Sequence, residues 1–474
     1  PLDIPGPWRH PSQACLHWRN RMHPVLLSSP LFRLAFRSGA LWCSRHHQLM
    51  AVLFPDKSVV DFRLSLLPLV LAAHLAAVAR SAFVPSLGCS NQPRGSLVAC
   101  RAATAATMEW HGERYAMWEK MKAIRPLVYV APPVKNDDGP KADGRVNDSA
   151  WEHAPWSTLF ADIEGEAKPM PRYNTRVKMM WDDSGLWVGS WMDEPHLMAE
   201  ATEINQYIFH YDHDFEVFIN CDGSTHHYYE YEVNANNIRW ELTLDKPYSD
   251  GGSPTTFNLP NIQTGTDVHG SLNDPSDTDI GWGITAHFPF KDLFALVGQE
   301  AAKPKAGDWW RINFSRVEWP LEVVNGSYVK KPPEDNWTWT PQGIVNMHRP
   351  ERWGFVVFAE SPSSEADPSI PDPLFDHKES LLQVYHYQVD YHSFYKRYAT
   401  SLEDLGLTQT SPPIVIELTD QEDGYRASIE VDEGAEASDP EQQERRKKVS
   451  IRADGLLSVD VETRHQEDAR ATPQ

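Results

Sequence analysis

A mainly β protein, an antiparallel β-sandwich followed by a small α+β unit, is what three features of this sequence predict. Across residues 128–358, short apolar runs alternate with turn residues, and few stretches show helical spacing. Aromatic residues crowd the same region, with 15 of the 18 tryptophans between Trp110 and Trp353, a density suited to aromatic-rich β cores and to sugar-binding surfaces alike. Beyond residue 375 one helical period gives way to three strand-like runs.

The 474 residues allow two or three domains at about 150 residues each. The formal charge of -22 is unevenly spread: residues 1–107 hold eleven Lys or Arg against three acids, and the rest hold 33 against 63. A body this acidic argues against nucleic acid or an anionic membrane as partner. Of five cysteines only Cys221 lies beyond residue 108, which excludes a disulfide framework in the body.

Residues 1–49 show no helical or strand period and are expected to be non-native or disordered. From Met50, the expected start, residues 50–107 read as a presequence. A segment with Lys57 and Arg63 precedes an apolar stretch at 64–79 that closes on the small-residue pattern Ala77-Val78-Ala79. Pro68 and His74 interrupt it, so it falls short of the roughly 18–20 clean apolar residues of a permanent membrane span. Arg80-Ser81-Ala82-Phe83-Val84-Pro85 and the acid-free run to Thr107 resemble the bipartite plastid presequence of algae with secondary plastids. The resemblance implies delivery to a plastid through the secretory pathway. The alternative is a plain secretory signal and an extracellular protein.

The sandwich is expected over residues 126–360. Its clearest hairpin pairs 176–181 with 186–191 through Asp182-Asp-Ser-Gly185, and a second pairs 215–219 with 228–234 through Asp222-Gly223. The chain then turns at 234–237 into a strand at 238–244. Further strands are expected at 282–288, 310–317 and 355–358, a helical turn at 291–296, and a Pro/Gly-rich surface loop at 246–261. Residues 361–375 read as a linker. In the unit at 376–460, Asp376 and Glu379 form a capping-box pattern for a helix reaching about Tyr398, and strands follow at 414–418, 425–431 and 449–459, the last turning back through Asp454-Gly455. The charged run 432–448 reads as a flexible excursion and residues 461–474 as a disordered tail.

Asp143-Gly144, Trp151, the run 177–183, Leu186-Trp-Val, Asp214-Phe-Glu-Val-Phe-Ile219, Tyr229-Glu-Tyr-Glu-Val-Asn234 and Arg349-Pro-Glu-Arg-Trp-Gly354 follow one another in an order similar to that of family 9 carbohydrate-binding modules. That resemblance, over residues 136–359, implies a β-sandwich, structural calcium, and a slot that grips the end of a sugar chain between two Trp rings. It places the family's hydroxyl-binding acid at Glu216, its two clamp positions at His210 and Met347, and its sugar-binding Arg at Glu232, two residues before Asn234. Neither clamp position carries Trp.

A sugar site needs flat apolar area and convergent hydrogen-bonding groups. Tyr211, Trp339 and His348 offer the former, Glu216 and Glu232 accept hydrogen bonds from hydroxyls, and Arg349 or Arg352 supplies donors. The expected carbohydrate-contacting set is therefore His210, Tyr211, Glu216, Glu232, Asn234, Trp339, Met347, His348 and Arg352. Asp212, Asp214 and Asp222 are the candidate calcium ligands, chiefly on the family likeness, their hard oxygens suiting that ion. Three readings stay open. In the first, a non-catalytic protein binds a carbohydrate or glycoconjugate. In the second, a glycan hydrolase uses Glu230, Glu232 or Glu216 for acid/base work, since Glu230 and Glu232 lie two apart on a strand and share a face. In the third, an interaction scaffold has kept the sandwich and lost the slot.

Overall fold

The computed structural model describes residues 109–463 apart from 136–138, 299–302, 362–368, 420–423 and 433–444. The presequence, the middle of the linker and the end of the chain beyond Thr463 lie outside the described residues. Elements run in the order α1 (Glu113–Met121), β1 (Val128–Ala131), β2 (Ala161–Asp162), β3 (Thr175–Trp181), β4 (Gly185–Asp193), α2 (Ile208–Tyr211), β5 (Asp214–Asn220), β6 (Tyr228–Asn234), β7 (Arg239–Leu244) and β8 (Pro254–Thr256). Then come β9 (Gln263–His269), β10 (Gly281–Pro289), α3 (Phe290–Leu296), β11 (Trp309–Glu318), β12 (Leu321–Val324), β13 (Ser327–Lys330), β14 (Asp335–Thr338) and β15 (Gly354–Phe358). The C-terminal unit supplies α4 (Phe375–Tyr395), β16 (Ile414–Thr419), β17 (Gly424–Asp432), β18 (Arg445–Arg452) and β19 (Leu457–Thr463).

Two sheets make the sandwich. The larger runs β1-β15-β11-β5-β6-β7-β8, with β14 and β2 branching from β11, and the smaller runs β3-β4-β10-β9. All ladders are antiparallel except β1 with β15. The β3–β4 turn forms because the Asp182 carboxylate accepts the N–H groups of Ser184 (2.7 Å) and Gly185 (3.1 Å), a side chain standing in for a backbone turn. Between the sheets lie Val177, Met179, Leu186, Val188, Ile284 and Phe288 from one side and Phe215, Val217, Tyr229, Tyr231, Ile312 and Phe314 from the other. Strands alternate their side chains, so this inward set fixes the outward one: Asp214, Glu216 and Phe218 on β5, and Tyr228, Glu230 and Glu232 on β6. Both strands are buried along their whole length, because the outer face is covered as well.

Trp339 belongs to the sandwich interior, edge-on to Tyr129, and not to a surface wall as the sequence suggested. Its ring leaves no room at Gly354, where an added Cβ would sit 2.3 Å from it. Gly354→Ala is expected to cost about 1–3 kcal/mol through overpacking, measured as a lower denaturation midpoint with an unchanged denaturant slope.

At the rim between the sheets, Arg316 is fully buried and its Nη2 donates to Glu194 (2.7 Å) and Glu318 (3.0 Å). His213 Nδ1 lies 3.0 Å from the same Glu194 oxygen. Burial alone would raise the Glu194 carboxyl, but His213 and Arg316 overcome it and hold the group down at about 2.

In the C-terminal unit α4 packs on β17 and β18 and also against α1, whose Trp118 shares its core with Leu381, Tyr385 and Ile451. The N-terminal helix, invisible to the periodicity reading, therefore belongs with the tail. Strand β18 also begins within the basic end of the run expected to be flexible, at Arg445. Glu379 makes no capping box, since the cap residue is Leu374 and carries no side-chain bond. It pairs instead with Arg352, which lies over Trp118 (5.1 Å) and donates to the Met121 carbonyl (3.4 Å). Further bonds seat the tail on the sandwich: Thr225 Oγ1 donates to the Gly455 carbonyl (2.9 Å), the Leu457 N–H to the Ser224 carbonyl (3.1 Å), and Arg114 pairs with Asp250. His386 stacks on Trp118, with Nε2 3.5 Å from Glu351. Among the described residues no helix is long and apolar enough to cross a membrane.

Candidate functional site

On the outer face of the larger sheet, Glu216 and Glu232 are directly opposed across β5 and β6, and Glu230 sits one diagonal step away. Oxygens of Asp214, Glu216 and Glu232 all lie within 4.8 Å of one another. Like charges placed this way repel, and burial removes the water that would screen them. Burial pushes Glu216 up to about 7, with the Ser315 hydroxyl pulling the other way. Burial and then the charge of Glu216 raise Asp214, Glu230 and Glu232 well above the usual carboxylate range. A carboxyl in this floor donates as well as accepts hydrogen bonds when it carries a proton, and only accepts when it does not.

Aromatic side chains stand around it. Trp240 is the cross-strand neighbour of Glu232 on β7, with Tyr207 edge-on to it (4.6 Å) and Phe209 stacked beyond (6.1 Å). The Phe209 N–H donates to Glu232 (3.4 Å). On the opposite side Tyr248 meets His348 edge-on (4.4 Å), and the Tyr228 hydroxyl and His348 Nδ1 share a hydrogen bond (3.0 Å). Burial and then the nearby Glu230 and Glu232 raise the Tyr248 phenol, with Tyr207 adding to them. Tyr207 and Tyr248 are both exposed, 57% and 41%, whereas each carboxylate below is at most 5% exposed.

Of the residues singled out from sequence, the structure brings Glu216 and Glu232 together, with His210 against Phe209 (3.9 Å), and sets His348 beside Phe218 and Tyr228, farther along the same two strands. The others go elsewhere for identifiable reasons. Tyr211 turns toward Lys330 of β13. The Asn234 amide is spent on its own turn, donating to Asp212 (2.7 Å) and accepting the N–H groups of Asn236 and Ile238. Met347 packs with Trp353, Phe218 and Tyr228, its carbonyl accepting the Trp353 indole N–H (2.8 Å). Arg352 points to the tail. The three candidate calcium ligands do not converge. Asp212 accepts the N–H groups of Glu200 (2.5 Å) and Ala201 (3.0 Å), Asp214 joins the glutamates, and Asp222 closes a turn at the far end of β5 by accepting the Ser224 N–H (2.9 Å).

Residues 142–265 match the family model described as carbohydrate family 9 binding domain-like. No curated protein matches the chain. Among solved structures, a candidate carbohydrate-binding protein from Bacteroides uniformis is similar at 14% identity and TM-score 0.38, covering 49% of this chain and all of its own. A family 9 carbohydrate-binding module from Caldicellulosiruptor kristjanssonii is similar in its complexes with cellotriose and with glucose. Each is 17% identical with TM-score 0.33, covers 52% and 51% of this chain respectively, and is matched over its whole length.

Proposed function

We propose that the chain is a carbohydrate-binding protein whose ligand lies on the outer face of the larger sheet, between the Tyr207–Trp240 wall and the Tyr248–His348 wall. The observation that carries this is the register of β5, β6 and β7, which sets Glu216, Glu230, Glu232 and Trp240 on one face. Rings supply flat surface for the CH face of a sugar, and carboxyls in either protonation state supply hydrogen bonds for its hydroxyls. The family-model match over residues 142–265, which includes β5 to β8, supports the same reading.

Calorimetric titration of the full chain with neutral mono- and oligosaccharides, glucose and cellotriose among them, tests the proposal. Trp240→Ala and Tyr248→Ala are each expected to weaken binding about tenfold, the equivalent of roughly 1.4 kcal/mol. A folded wild-type chain that binds no member of a broad glycan panel would leave the scaffold reading in its place.

A further inference from the structure

The floor of the site raises a problem of charge that sugar hydroxyls do not solve. Asp214, Glu216, Glu230 and Glu232 occupy adjacent outward positions on β5 and β6, each with at most 5% exposure. Apart from the N–H groups of Val317 and Phe209 and the hydroxyl of Ser315, what acts on them is burial, one another and, on Asp214, the nearby Asp212, all of which disfavour charge. The rim cluster of Glu194 and Glu318 is different, since Arg316 and His213 lie within it and balance it. A separate feature points to a missing partner: Glu230, outside the close trio, is 95% buried, lies diagonally beside Glu216, and has an Oε2 with no hydrogen-bond partner. The Asp214 Oδ2 is unpartnered too.

We infer that Asp214, Glu216 and Glu232, with Glu230 beside them, hold a hard divalent cation. Every donor is a carboxylate oxygen, the ligand type of calcium, magnesium and manganese and a poor one for softer metals. The oxygens of the trio lie within 4.8 Å of one another, a spacing that one ion can bridge. The set differs from the one expected from sequence, because only Asp214 is common to both. A dication offsets the mutual repulsion of the four acids, and any coordination position they leave open faces the walls, where water or a ligand hydroxyl fills it. The inference goes beyond the sugar reading and does not depend on it.

The test uses the full chain, stripped with chelator and titrated without sugar by calcium, magnesium or manganese chloride, followed by calorimetry and thermal melts. One saturable site for at least one of these ions is expected, with the melting midpoint raised by at least about 3 °C at saturation. Glu232→Gln and Asp214→Asn should each weaken binding at least about tenfold, since affinity at such sites follows ligand charge count, while Asp222→Asn leaves it unchanged. A wild-type chain that behaves alike in chelator and in millimolar concentrations of each ion overturns the inference, whether or not the variants fold; the four acids then share protons instead. Binding that survives both Glu232→Gln and Asp214→Asn also overturns it. Sugar titrations with and without chelator keep the two ideas apart: a cation bound with no sugar response supports this inference and sinks the sugar reading, and sugar binding with no cation response does the reverse.

Discussion

Arg316→Met is expected to lower the unfolding free energy by about 3–5 kcal/mol, the usual cost of removing one member of a buried ion pair. The guanidinium is 0% exposed and bridges Glu194, Glu318 and the hydroxyl of Thr175 (3.0 Å). Without it two carboxyls remain in a dry rim, answered by His213 and, at 3.9 Å from Glu318, by the exposed Arg172. Methionine fills much of the same volume, so the loss is chiefly electrostatic and not a cavity. Urea denaturation measures it, and adding Glu194→Gln to the same chain should recover most of the loss, because the stranded charge is then gone. A single variant that costs less than about 1 kcal/mol would show that the network is energetically idle.

Acid should loosen the seat of the C-terminal unit over a definite window. Burial holds the His386 imidazole down at about 4, with Glu351 opposing and Arg349 and Arg114 adding to the burial. The folded chain therefore binds this proton more weakly than the unfolded chain, whose His titrates near 6.5. His386 thus contributes stability that is complete above pH 6.5 and is lost as pH falls through 4, about 3 kcal/mol for a shift of this size. Glu351 acts in the same direction lower down. Burial would raise it, but the His386 hydrogen bond and Arg349 hold it at about 2, so its contribution is lost between about 4.5 and 2. Urea melts from pH 8 to 4 should show the first window, and His386→Gln should flatten it. An unchanged slope in that variant would assign the acid sensitivity to other groups.

The strands of the sandwich were legible as short apolar runs bounded by turn residues, as in β3 and β4 on either side of Asp182–Gly185. The Asn234–Asn237 turn likewise revealed β7, and with it the register that sets Trp240 across from Glu232. That pairing was the available signal for the aromatic wall, because a hairpin turn fixes which residues oppose one another. Tyr248 carried no such signal, since it sits in a 3₁₀ turn of a long loop where no period operates. Trp339 and Arg352 misled for a shared reason. Residue type shows that a ring or a guanidinium is present, but the face it takes is decided by partners far along the chain, Tyr129 for one and Glu379 for the other. Helix α1 was missed because its apolar contacts are made with α4, more than 250 residues later, and not with its neighbours in sequence.

Tyr248 opens the 3₁₀ turn that ends at Asp250, and Asp250 is tied to Arg114 at the head of α1. One jaw of the proposed sugar site is thus braced by a unit that contributes no floor to it. Cutting the chain back to the sandwich would leave every carboxyl in place and still give a poorer receptor, because that jaw would have to be ordered anew each time a ligand arrived, at about 0.5–1.5 kcal/mol for each side chain immobilised. The C-terminal unit is in this sense an entropic splint, whose removal would be felt in affinity before it was felt in shape.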